Sequence, residues 1–423
     1  MTVSRTLVSE LKEKIGQQVK LYLTLDVIRD QKHLQFILGK DKSGTIQLVI
    51  SKDKVTNHED ISTLLQGSAF IAIGKAIKSS QSKTFGIEIQ IDSLEIISKA
   101  EAWPITQESS IDLRFDYRYV DLHFPKQQLM LKIRNAFLQG CRQFLLKEEF
   151  CEFTTPSLIG RASESGSECF SVPYFDKTAY LRQSPQMAKQ LLCVTGLDYF
   201  EVGSIFRMEG GSSRHLTEFT GLDVEKSWVF TTKEIMEFEE AMLKAGFAAL
   251  APFKEEVLKV YGIELLTEPS VVYMTLDEAK AILKEHAGIH STKESDLSDE
   301  GERLLHEIVK KDFIFVSDYP IAKRPFYHMW DEEKGTTKSF DLIFRGIEIT
   351  SGAVREYRYD KFVEQVKKKG VSLESVKEYS EIFKISKPHA GFGIGVERVI
   401  SRLLGIAVKE AAILVRDHER LLP

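Results

Sequence analysis

Charged side chains are concentrated in residues 206–225, which read FRMEGGSSRHLTEFTGLDVE. The flanking runs predict two strands joined by a turn, because the glycines and serines between them tolerate unusual backbone angles. Alternation along the strands places Ile205 and Arg207 on one face of the first strand, and Asp223 and Glu225 on one face of the second. The pattern is typical either of a solvated hairpin with surface ion pairs or of a rigid support that points an arginine and acids into a pocket.

Three further stretches combine charged, amide and glycine residues in a similar way. They read AYLRQSPQMAKQ at 179–190, FDLIFRGIEITSGAVRE at 340–356 and KPHAGFGIGVERVI at 387–400. Each has an ordinary explanation by itself, since many proteins use a glycine-rich turn into a helix or a Glu–Arg pair on a strand. Together they supply cations for phosphates, acids for a metal ion or an ammonium group, and glycines where backbone approaches a nucleotide. This combination indicates a site for ATP and an amino acid.

The second of these stretches alternates apolar and polar residues. Alternation predicts that Ile347 and Ile349 pack on one face of a strand, while Glu348 and Thr350 face the other way. The sequence contains no P-loop, GxGxxG or kinase signature, so a nucleotide site here would use a different scaffold.

The bulk composition sets the class of protein. At 423 residues the chain is too long for one hydrophobic core, and two or three domains are expected. Hydrophobic residues make up 43% and charged residues 28%, which is ordinary for a globular protein. A net charge of −5 excludes a large uniform basic surface but allows a local basic groove for nucleic acid.

The cysteines and the N-terminal segment indicate the compartment. The sequence contains no CxxC motif, so a zinc site is not expected. The cysteines should instead be free thiols in a reducing compartment: Cys141, Cys151, Cys169 and Cys193. The first residues lack the apolar core of a signal peptide, and no run approaches the roughly 18 apolar residues of a membrane span. These features predict a cytoplasmic protein that does not enter a membrane.

Two domains joined by a linker are expected. Five β-rich runs between residues 18 and 98 predict a small Greek-key barrel of the oligonucleotide-binding type, although a barrel of unrelated purpose remains open. We therefore assign 1–98 to this barrel, 99–125 to a linker rich in polar residues, and 126–423 to a larger domain. The larger domain mixes helices with hairpins rather than regular βαβ units, which favours an α+β fold.

The order of these stretches resembles the motif order of class II aminoacyl-tRNA synthetases, especially the aspartyl-tRNA synthetases of the archaeal and eukaryotic type. A helix and strand ending at Pro156 resembles their first motif, 206–225 the second, and GFGIGVERVISRLLG at 391–405 the third. SESGSE at 163–168 and the C-terminal RDHERLLP also fit, and the resemblance extends over nearly the whole chain. It implies a catalytic domain built on an antiparallel sheet flanked by helices, preceded by an anticodon-binding barrel.

The resemblance also implies the roles of individual residues. Catalysis is implied for Arg207, at the ATP α-phosphate, and for Arg398, at the γ-phosphate. The implied ATP-binding residues are Arg207, Glu209, Arg214, His215, Glu348, Gly395 and Arg398. The implied aspartate-binding residues are Glu164, Gln186, Lys189, Asp223, Ser351 and Arg355. Glu348 and Ser351 would ligate Mg²⁺, with Asp341 nearby, and anticodon contacts are implied for Phe36, Gln47 and Glu88.

The implied reaction is ATP-dependent formation of aspartyl-adenylate followed by transfer to tRNA. The implied partners are ATP, L-aspartate, tRNA and a second copy of the chain, which would pair through the apolar helix and strand at 126–156. Three alternatives stay open: an asparaginyl-tRNA synthetase, an enzyme that places aspartate on both aspartate and asparagine tRNAs, and a synthetase-like protein used for amide ligation or regulation. Lys189 argues against asparagine, because a cation beside a neutral carboxamide would lack an anionic partner.

Two departures from the family pattern concern tRNA rather than ATP. The turn EGGSS is one residue shorter than the usual loop of the second motif, and Leu-Val stands before Arg416 and Asp417 in place of the usual Phe-Pro. Neither change removes an implied catalytic residue. Recognition of the tRNA acceptor end is the function they affect.

Overall fold

The computed structural model describes residues 4–80, 86–160, 169–208 and 215–422. The chain divides into two compact units, Met1–Ser109 and Ser110–Pro423. Two short helices, Ile111–Asp116 and Arg118–Asp121, lie in the segment that the sequence assigns to a linker, and both belong to the second unit.

The first unit is a closed five-stranded barrel, as the sequence predicts. Its strands are β1 Gln18–Asp30, β2 Leu34–Asp41, β3 Gly44–Ser51, β4 Ala69–Lys78 and β5 Ile87–Ser98. They close in the order β1-β2-β3-β5-β4, with a 3₁₀ helix at Val8–Lys14 and a short helix α1 at His58–Ser62. Alternate residues point inward and are fully buried, among them Leu21, Ile37 and Ile89. This period of two is typical of strands with one buried face, and the strands themselves were predicted from the β-rich runs in the sequence.

The second unit is built on an eight-stranded, largely antiparallel sheet. Its strands run in the order β12-β13-β16-β17-β18-β11-β10-β6, and only the outermost pairs, β6 with β10 and β12 with β13, are parallel. The strands of this unit are β6 Cys151–Glu152, β7 Leu158–Ile159, β8 Ser171–Tyr174, β9 Lys177–Leu181, β10 Tyr199–Phe206, β11 Glu218–Ser227, β12 Val271–Thr275, β13 Phe313–Ser317, β14 Trp330–Asp331, β15 Thr336–Thr337, β16 Ser339–Phe344, β17 Ile347–Val354 and β18 His389–Gly395. Two small sheets, β14-β15 and β7-β9-β8, complete the set. The α+β class predicted from the sequence is confirmed.

Helices flank this sheet. They are α2 Ile111–Asp116, α3 Arg118–Asp121, α4 Pro125–Lys147, α5 Gln186–Cys193, α6 Thr232–Ala248, α7 Lys254–Tyr261, α8 Leu276–Ala287, α9 Asp299–Val309, α10 Tyr359–Lys368, α11 Lys377–Ser380, α12 Val396–Leu404 and α13 Val408–Ala411. Short 3₁₀ turns lie at Ala251–Phe253, Ile321–Lys323, Leu373–Val376 and Glu381–Lys384. Local signals set the helix starts: Pro125 is the first residue of α4, and the Thr231 hydroxyl caps α6 in a capping box with Glu234.

The long helix α4 packs tightly against α6. A Cβ atom at Gly140 would lie 2.8 Å from the carbonyl oxygen of Ala245, and one at Gly246 would lie 2.6 Å from Sγ of Cys141. The two glycines therefore let the helices approach closely, and Ile133 and Phe137 are fully buried in the core beneath the sheet. The sequence predicts a dimer contact from the apolar face of α4. In the structure most of this face is buried in the core of the same chain.

Candidate active site

A cavity of about 490 Å³ opens on the eight-stranded sheet between β11, β17, β18 and α5. This is an ordinary volume for a small-ligand site. Every site residue of the second unit that was predicted from the sequence and is described lines it: Arg207, His215, Glu348, Gly395, Arg398, Gln186, Lys189, Asp223, Ser351 and Arg355. The predicted residues Glu164, Glu209 and Arg214 lie outside the described residues. The fold thus gathers side chains that are up to 212 positions apart, from Gln186 to Arg398, around one space.

The charged hairpin forms one wall. β10 and β11 pair antiparallel, and Ile205 and Asp223 line the cavity from the faces that alternation predicts. Arg207 follows β10 directly. Its main-chain N–H donates to the carbonyl of Thr217 at 2.9 Å, and its guanidinium lies 5.8 Å from the ring centre of Phe219. The arginine is therefore held at the rim of the sheet by backbone pairing and by an aromatic ring.

Four buried charged residues lie together at the inner end of the cavity; three of them line it, and the fourth, Glu225, contacts two of these. Nζ of Lys189 lies 3.2 Å from Oδ1 of Asp223 and 3.3 Å from Oε2 of Glu225. Nε and Nη2 of Arg355 donate to the two oxygens of Glu225 at 2.9 and 3.3 Å. Lys189 is buried because it lies three residues after Gln186 on α5, so that both face the sheet. Sequence reasoning omitted Glu225 from the site, although alternation had already placed it on the face of Asp223.

The pKa values of the two carboxyls differ in direction. Burial raises the pKa of Asp223, and the neighbouring Lys189 only partly opposes this. Burial also disfavours ionised Glu225, but Arg355 and Lys189 outweigh it, so the pKa of Glu225 lies below its ordinary value. Glu225 is therefore a fixed anion that holds two cations in place. With both carboxyls ionised, the formal charges of the four residues cancel.

Glycines on β18 make room for these acids. Gly391 pairs with Glu225 and Gly393 pairs with Asp223 across the β11–β18 ladder. A Cβ atom at Gly391 would lie 2.0 Å from Oε2 of Glu225, and one at Gly393 would lie 2.9 Å from Oδ1 of Asp223. Both distances are shorter than non-bonded atoms allow. The glycine-rich stretch therefore accommodates protein carboxylates as well as opening the cavity floor.

A bulge in β17 sets the opposite wall. Across from the adjacent residues Leu342 and Ile343, β17 has Thr350 and Glu348, so Ile349 is an extra residue. The bulge brings Glu348 and Ser351 onto the same side, and both line the cavity. Thr350 is buried away from it. The predicted shared face of Glu348 and Thr350 is therefore wrong, because simple alternation does not hold across a bulge.

Arg324, which sequence reasoning missed, ties this wall together. Its Nη1 donates to Oδ1 of Asp341 at 3.0 Å and to Oγ of Ser351 at 3.2 Å, and its Nη2 also contacts the Asp341 carboxylate. The guanidinium lies 3.7 Å from the ring centre of Tyr319. Asp341, which the resemblance places near the metal, is thus paired with an arginine in this structure.

Glu348 is linked to two further charged residues. Its main-chain N–H donates to Oε2 of Glu302 at 2.9 Å, and its carbonyl accepts from Nη1 of Arg398 at 2.8 Å. Burial, followed by the neighbouring Asp341, raises the pKa of Glu348 above its ordinary value, although Arg398 opposes the shift. Burial raises the pKa of Glu302 to about 7. Carboxyls that repel each other in this way would be stabilised in their ionised form by a cation.

Glu348 and Ser351 suit a magnesium ion whose remaining ligands come from water and a bound substrate. In the described ranges, no group of three or more His, Cys, Asp and Glu side chains is arranged to enclose a metal ion. Glu348 and Ser351 offer one carboxylate and one hydroxyl from the same side of β17. Mg²⁺ typically takes one or two carboxylates and completes its shell with water and phosphate oxygens. The donor set suits that arrangement.

The helix that carries Arg398 is fixed at its start. Oε1 of Glu397 accepts from Nη2 of Arg134 on α4 at 3.0 Å, and Oε2 accepts from the main-chain N–H of Thr220 on β11 at 2.9 Å. Glu397 is buried, so these bonds connect α12 with α4 and β11 in a part of the protein screened from water. Arg398 is therefore presented from a rigid element.

The predicted anticodon residues lie together on the outside of the barrel. Gln47 pairs with Leu38 on one side and with Glu88 on the other, and its Nε2 donates to Oε2 of Glu88 at 3.2 Å. Phe36 lies two residues from Leu38 along β2, opposite Val49, so it is on the same face, and it is partly exposed. The three side chains thus form one outward patch of an aromatic ring, an amide and an acid.

Within the described residues, no helix combines the length and the apolar character needed to cross a bilayer.

Comparison with known proteins identifies one matching family and several similar proteins. The model of a family described as tRNA synthetases class II (D, K and N) matches residues 110–417. Over 440 residues the chain is 39% identical to an aspartate–tRNA(Asp/Asn) ligase of Thermus thermophilus, covering 99% of this chain and 100% of the relative. Over 436 residues it is 35% identical to an aspartate–tRNA(Asp) ligase of Pyrococcus abyssi, covering 98% of each.

Solved structures agree on the fold. Asparaginyl-tRNA synthetase of Pyrococcus horikoshii, complexed with asparaginyl-adenylate, is similar with a TM-score of 0.93 and 28% identity, covering 100% of both chains. Aspartyl-tRNA synthetase of Entamoeba histolytica is similar with a TM-score of 0.86 and 27% identity, covering 100% of this chain and 93% of the other. The folds of aspartate and asparagine enzymes therefore both match, and the substrate must be argued from the side chains.

Proposed function

The chain belongs to the class II tRNA synthetases of the D, K and N group, and we propose that it is an aspartate–tRNA ligase. It activates L-aspartate with ATP to form aspartyl-adenylate and pyrophosphate, and it then transfers the aspartyl group to the 3′ end of tRNA. The observation that carries this proposal is the pair of buried cations, Lys189 and Arg355, at the inner end of the cavity. Curated relatives of both kinds, aspartate–tRNA(Asp) and aspartate–tRNA(Asp/Asn) ligases, support the same substrate.

The two charged ends of aspartate are assigned to side chains of opposite charge. We assign the side-chain carboxylate to Lys189 and Arg355, because a guanidinium offers paired donors in the geometry of a carboxylate. The α-ammonium group is assigned to Asp223 and Gln186, together with Glu164 from the segment 161–168. A carboxamide would present an NH₂ group to these cations and leave their remaining donors without an acceptor, which disfavours asparagine.

ATP is assigned to the outer part of the cavity. Arg207 stabilises charge on the α-phosphate as the aspartate carboxylate attacks, and Arg398 holds the γ-phosphate end. The remaining assigned ATP contacts are Glu209, Arg214, His215, Glu348 and Gly395. Glu348 and Ser351 would hold Mg²⁺, which supplies positive charge to the phosphates when bound. The protein then acts by positioning and charge stabilisation, and no side chain forms a covalent intermediate.

The remaining assignments concern partners and location. The outward patch of Phe36, Gln47 and Glu88 would read anticodon bases, since barrels of this type stack bases on exposed aromatic rings. A homodimer through residues 126–156 is expected from the family resemblance. A cytoplasmic location is expected for an enzyme of translation.

A second candidate is an enzyme that also places aspartate on asparagine tRNA. The relatives from Thermus thermophilus and Aeropyrum pernix are both named aspartate–tRNA(Asp/Asn) ligases and match nearly the whole chain. This candidate uses the same amino-acid pocket and differs only in the tRNA. An asparaginyl-tRNA synthetase is the less favoured alternative because of Lys189 and Arg355.

The test has two stages with the purified full-length protein. ATP–pyrophosphate exchange is measured with aspartate and with asparagine, and purified aspartate and asparagine tRNAs are then charged with radiolabelled aspartate. We expect exchange with aspartate alone and charging of the aspartate tRNA. Charging of both tRNAs would favour the second candidate. Exchange with asparagine alone would overturn the substrate, and exchange without any charging would indicate a synthetase-like protein used for another reaction.

A further inference from the structure

A histidine on the cavity wall has a ring nitrogen that no described residue satisfies. His328 is only 4% exposed and lines the cavity. Its backbone lies beside that of Arg355 in an antiparallel bridge. Nδ1 of His328 is sealed from solvent and has no hydrogen-bond partner among the described residues. A buried polar atom without a partner costs stability, so such atoms are rare in folded proteins and generally have a specific explanation.

The neighbouring cations have already used most of their donors on the protein. A lysine ammonium has three N–H groups. Those of Lys189 face Oδ1 of Asp223 at 3.2 Å, Oε2 of Glu225 at 3.3 Å and the carbonyl of Phe392 at 3.1 Å. Arg355 directs Nε and Nη2 at Glu225. Few donors of the inner cluster therefore remain for the far end of a bound amino acid.

His328 has the charge state to act as an additional donor. Burial lowers the pKa of His328 well below its ordinary value, and Arg355, Arg324 and Lys189 lower it further. The imidazole is therefore neutral at physiological pH, with one N–H donor and one acceptor nitrogen. A neutral donor adds a hydrogen bond to a carboxylate without adding a third cation to a cluster whose charges already cancel.

We propose that His328 is a further recognition residue for the amino acid, and that its ring N–H donates to the side-chain carboxylate of bound aspartate. This inference rests on the proposed aspartate activity and assigns one more group to that pocket. It would give Nδ1 of His328, which has no partner among the described residues, a partner when aspartate is bound.

The test compares three variants at this position. His328→Ala removes the ring, while His328→Asn and His328→Gln place an amide nitrogen near the positions of Nδ1 and Nε2. Met329→Leu is the matched control, because Met329 is the adjacent residue, packs in the hydrophobic core and does not line the cavity. Aspartate binding is measured by calorimetry without ATP, and the KM values for aspartate and for ATP are measured in pyrophosphate exchange. Thermal unfolding reports whether each variant is folded.

For His328→Ala we expect aspartate affinity to fall by roughly 10- to 100-fold, the usual loss of a hydrogen bond to a charged group, with the KM for ATP nearly unchanged. At least one amide variant should recover part of the affinity, and Met329→Leu should match wild type. The inference is overturned if folded His328→Ala binds aspartate normally, if the KM values for aspartate and ATP rise equally, or if neither amide variant recovers affinity. Absence of aspartate exchange in the wild-type protein would instead overturn the proposed function itself.

Discussion

Gly391 lies directly opposite Glu225 in the pairing of β18 with β11, and a Cβ atom at position 391 would lie 2.0 Å from Oε2 of that carboxylate. The space that any side chain would need is filled by the acid that holds Arg355 and Lys189. The buried carboxylate of Glu225 therefore requires a residue without a side chain at position 391. The amino-acid pocket depends on both.

We expect Gly391→Ala to displace Glu225 and to lower kcat/KM for aspartate by roughly 100-fold or more, because misplacement by about 1 Å has that effect on positioned groups. The methyl group would also meet the carbonyl of Val224 at 2.3 Å, so the thermal midpoint should fall as well. Gly301→Ala is the matched control, since its Cβ would lie in ordinary contact, 3.5 Å from Leu283. Normal aspartate exchange by a folded Gly391→Ala protein would contradict the proposed role of Glu225.

Arg355→Leu tests the assignment of the substrate carboxylate. Removing one partner of a buried, hydrogen-bonded charge pair costs roughly 2–5 kcal/mol, and here the loss should fall on aspartate activation. Arg355→Lys should not restore activity, because one ammonium cannot replace the two nitrogens that hold Glu225. ATP affinity, measured by equilibrium binding, should remain near wild type. An equal loss of ATP and aspartate binding would show that Arg355 supports the fold rather than the substrate.

Phe36→Ala separates tRNA binding from chemistry. The variant should weaken tRNA binding by about 1–3 kcal/mol, the usual value for one stacked base, and leave ATP–pyrophosphate exchange unchanged. Tyr22→Ala serves as the control, because Tyr22 is an exposed aromatic on β1 and pairs with β4 instead of β3. Filter binding and exchange assays give the two readouts. Equal losses of tRNA affinity in both variants would remove the special role of Phe36.

Glu239 makes stability depend on pH. It lies on α6 beneath the sheet, fully buried, and burial raises its pKa to about 8 from 4.5. Between these pH values the folded protein holds a proton that the unfolded chain releases, so the free energy of unfolding falls as pH rises. Glu239→Gln should remove this dependence and exceed wild-type stability at pH 9 by on the order of 2–4 kcal/mol.

Urea unfolding at pH 5, 7 and 9 measures this effect. Glu240→Gln is the control, because the neighbouring Glu240 is paired with Lys244 and its pKa lies below the ordinary value. The contribution of Glu240 to the free energy of unfolding changes only under more acidic conditions. Glu240→Gln should therefore keep the wild-type pH dependence over the measured range. Parallel curves for wild type and Glu239→Gln would show that Glu239 is not protonated in the folded protein.

Much of this fold follows from periodicity in the sequence. β1 begins at residue 18 and β5 ends at residue 98, the limits predicted for the β-rich runs. The faces of Ile205 and Asp223 follow from alternation along β10 and β11. Positions that break the period could not be predicted. The bulge at Ile349 reverses the facing of Thr350, and no residue type in that stretch marks it.

Contacts between distant segments also could not be predicted from the sequence. Glu225 was visible as a neighbour of Asp223, but its pairing with Arg355, 130 positions away, depends on how β11 and β17 are arranged. The apolar run in α4 indicated burial correctly, yet composition cannot distinguish a helix that packs on its own α6 from one that packs on another chain. His328 carried no motif at all. Its significance lies in a nitrogen without a partner, which only coordinates reveal.

The bulge in β17 has a consequence for how this site can change during evolution. The number of residues between Glu348 and Ser351 is one more than regular pairing with β16 would use, and the bulge at Ile349 accommodates the extra residue. A point mutation at codon 349 can reshape the cavity wall but cannot change that number. An in-frame loss of the codon would restore the regular ladder, in which Glu348 and Ser351 are two positions apart and still share a face. β17 can therefore differ in length by this one residue without turning either site residue away from the cavity.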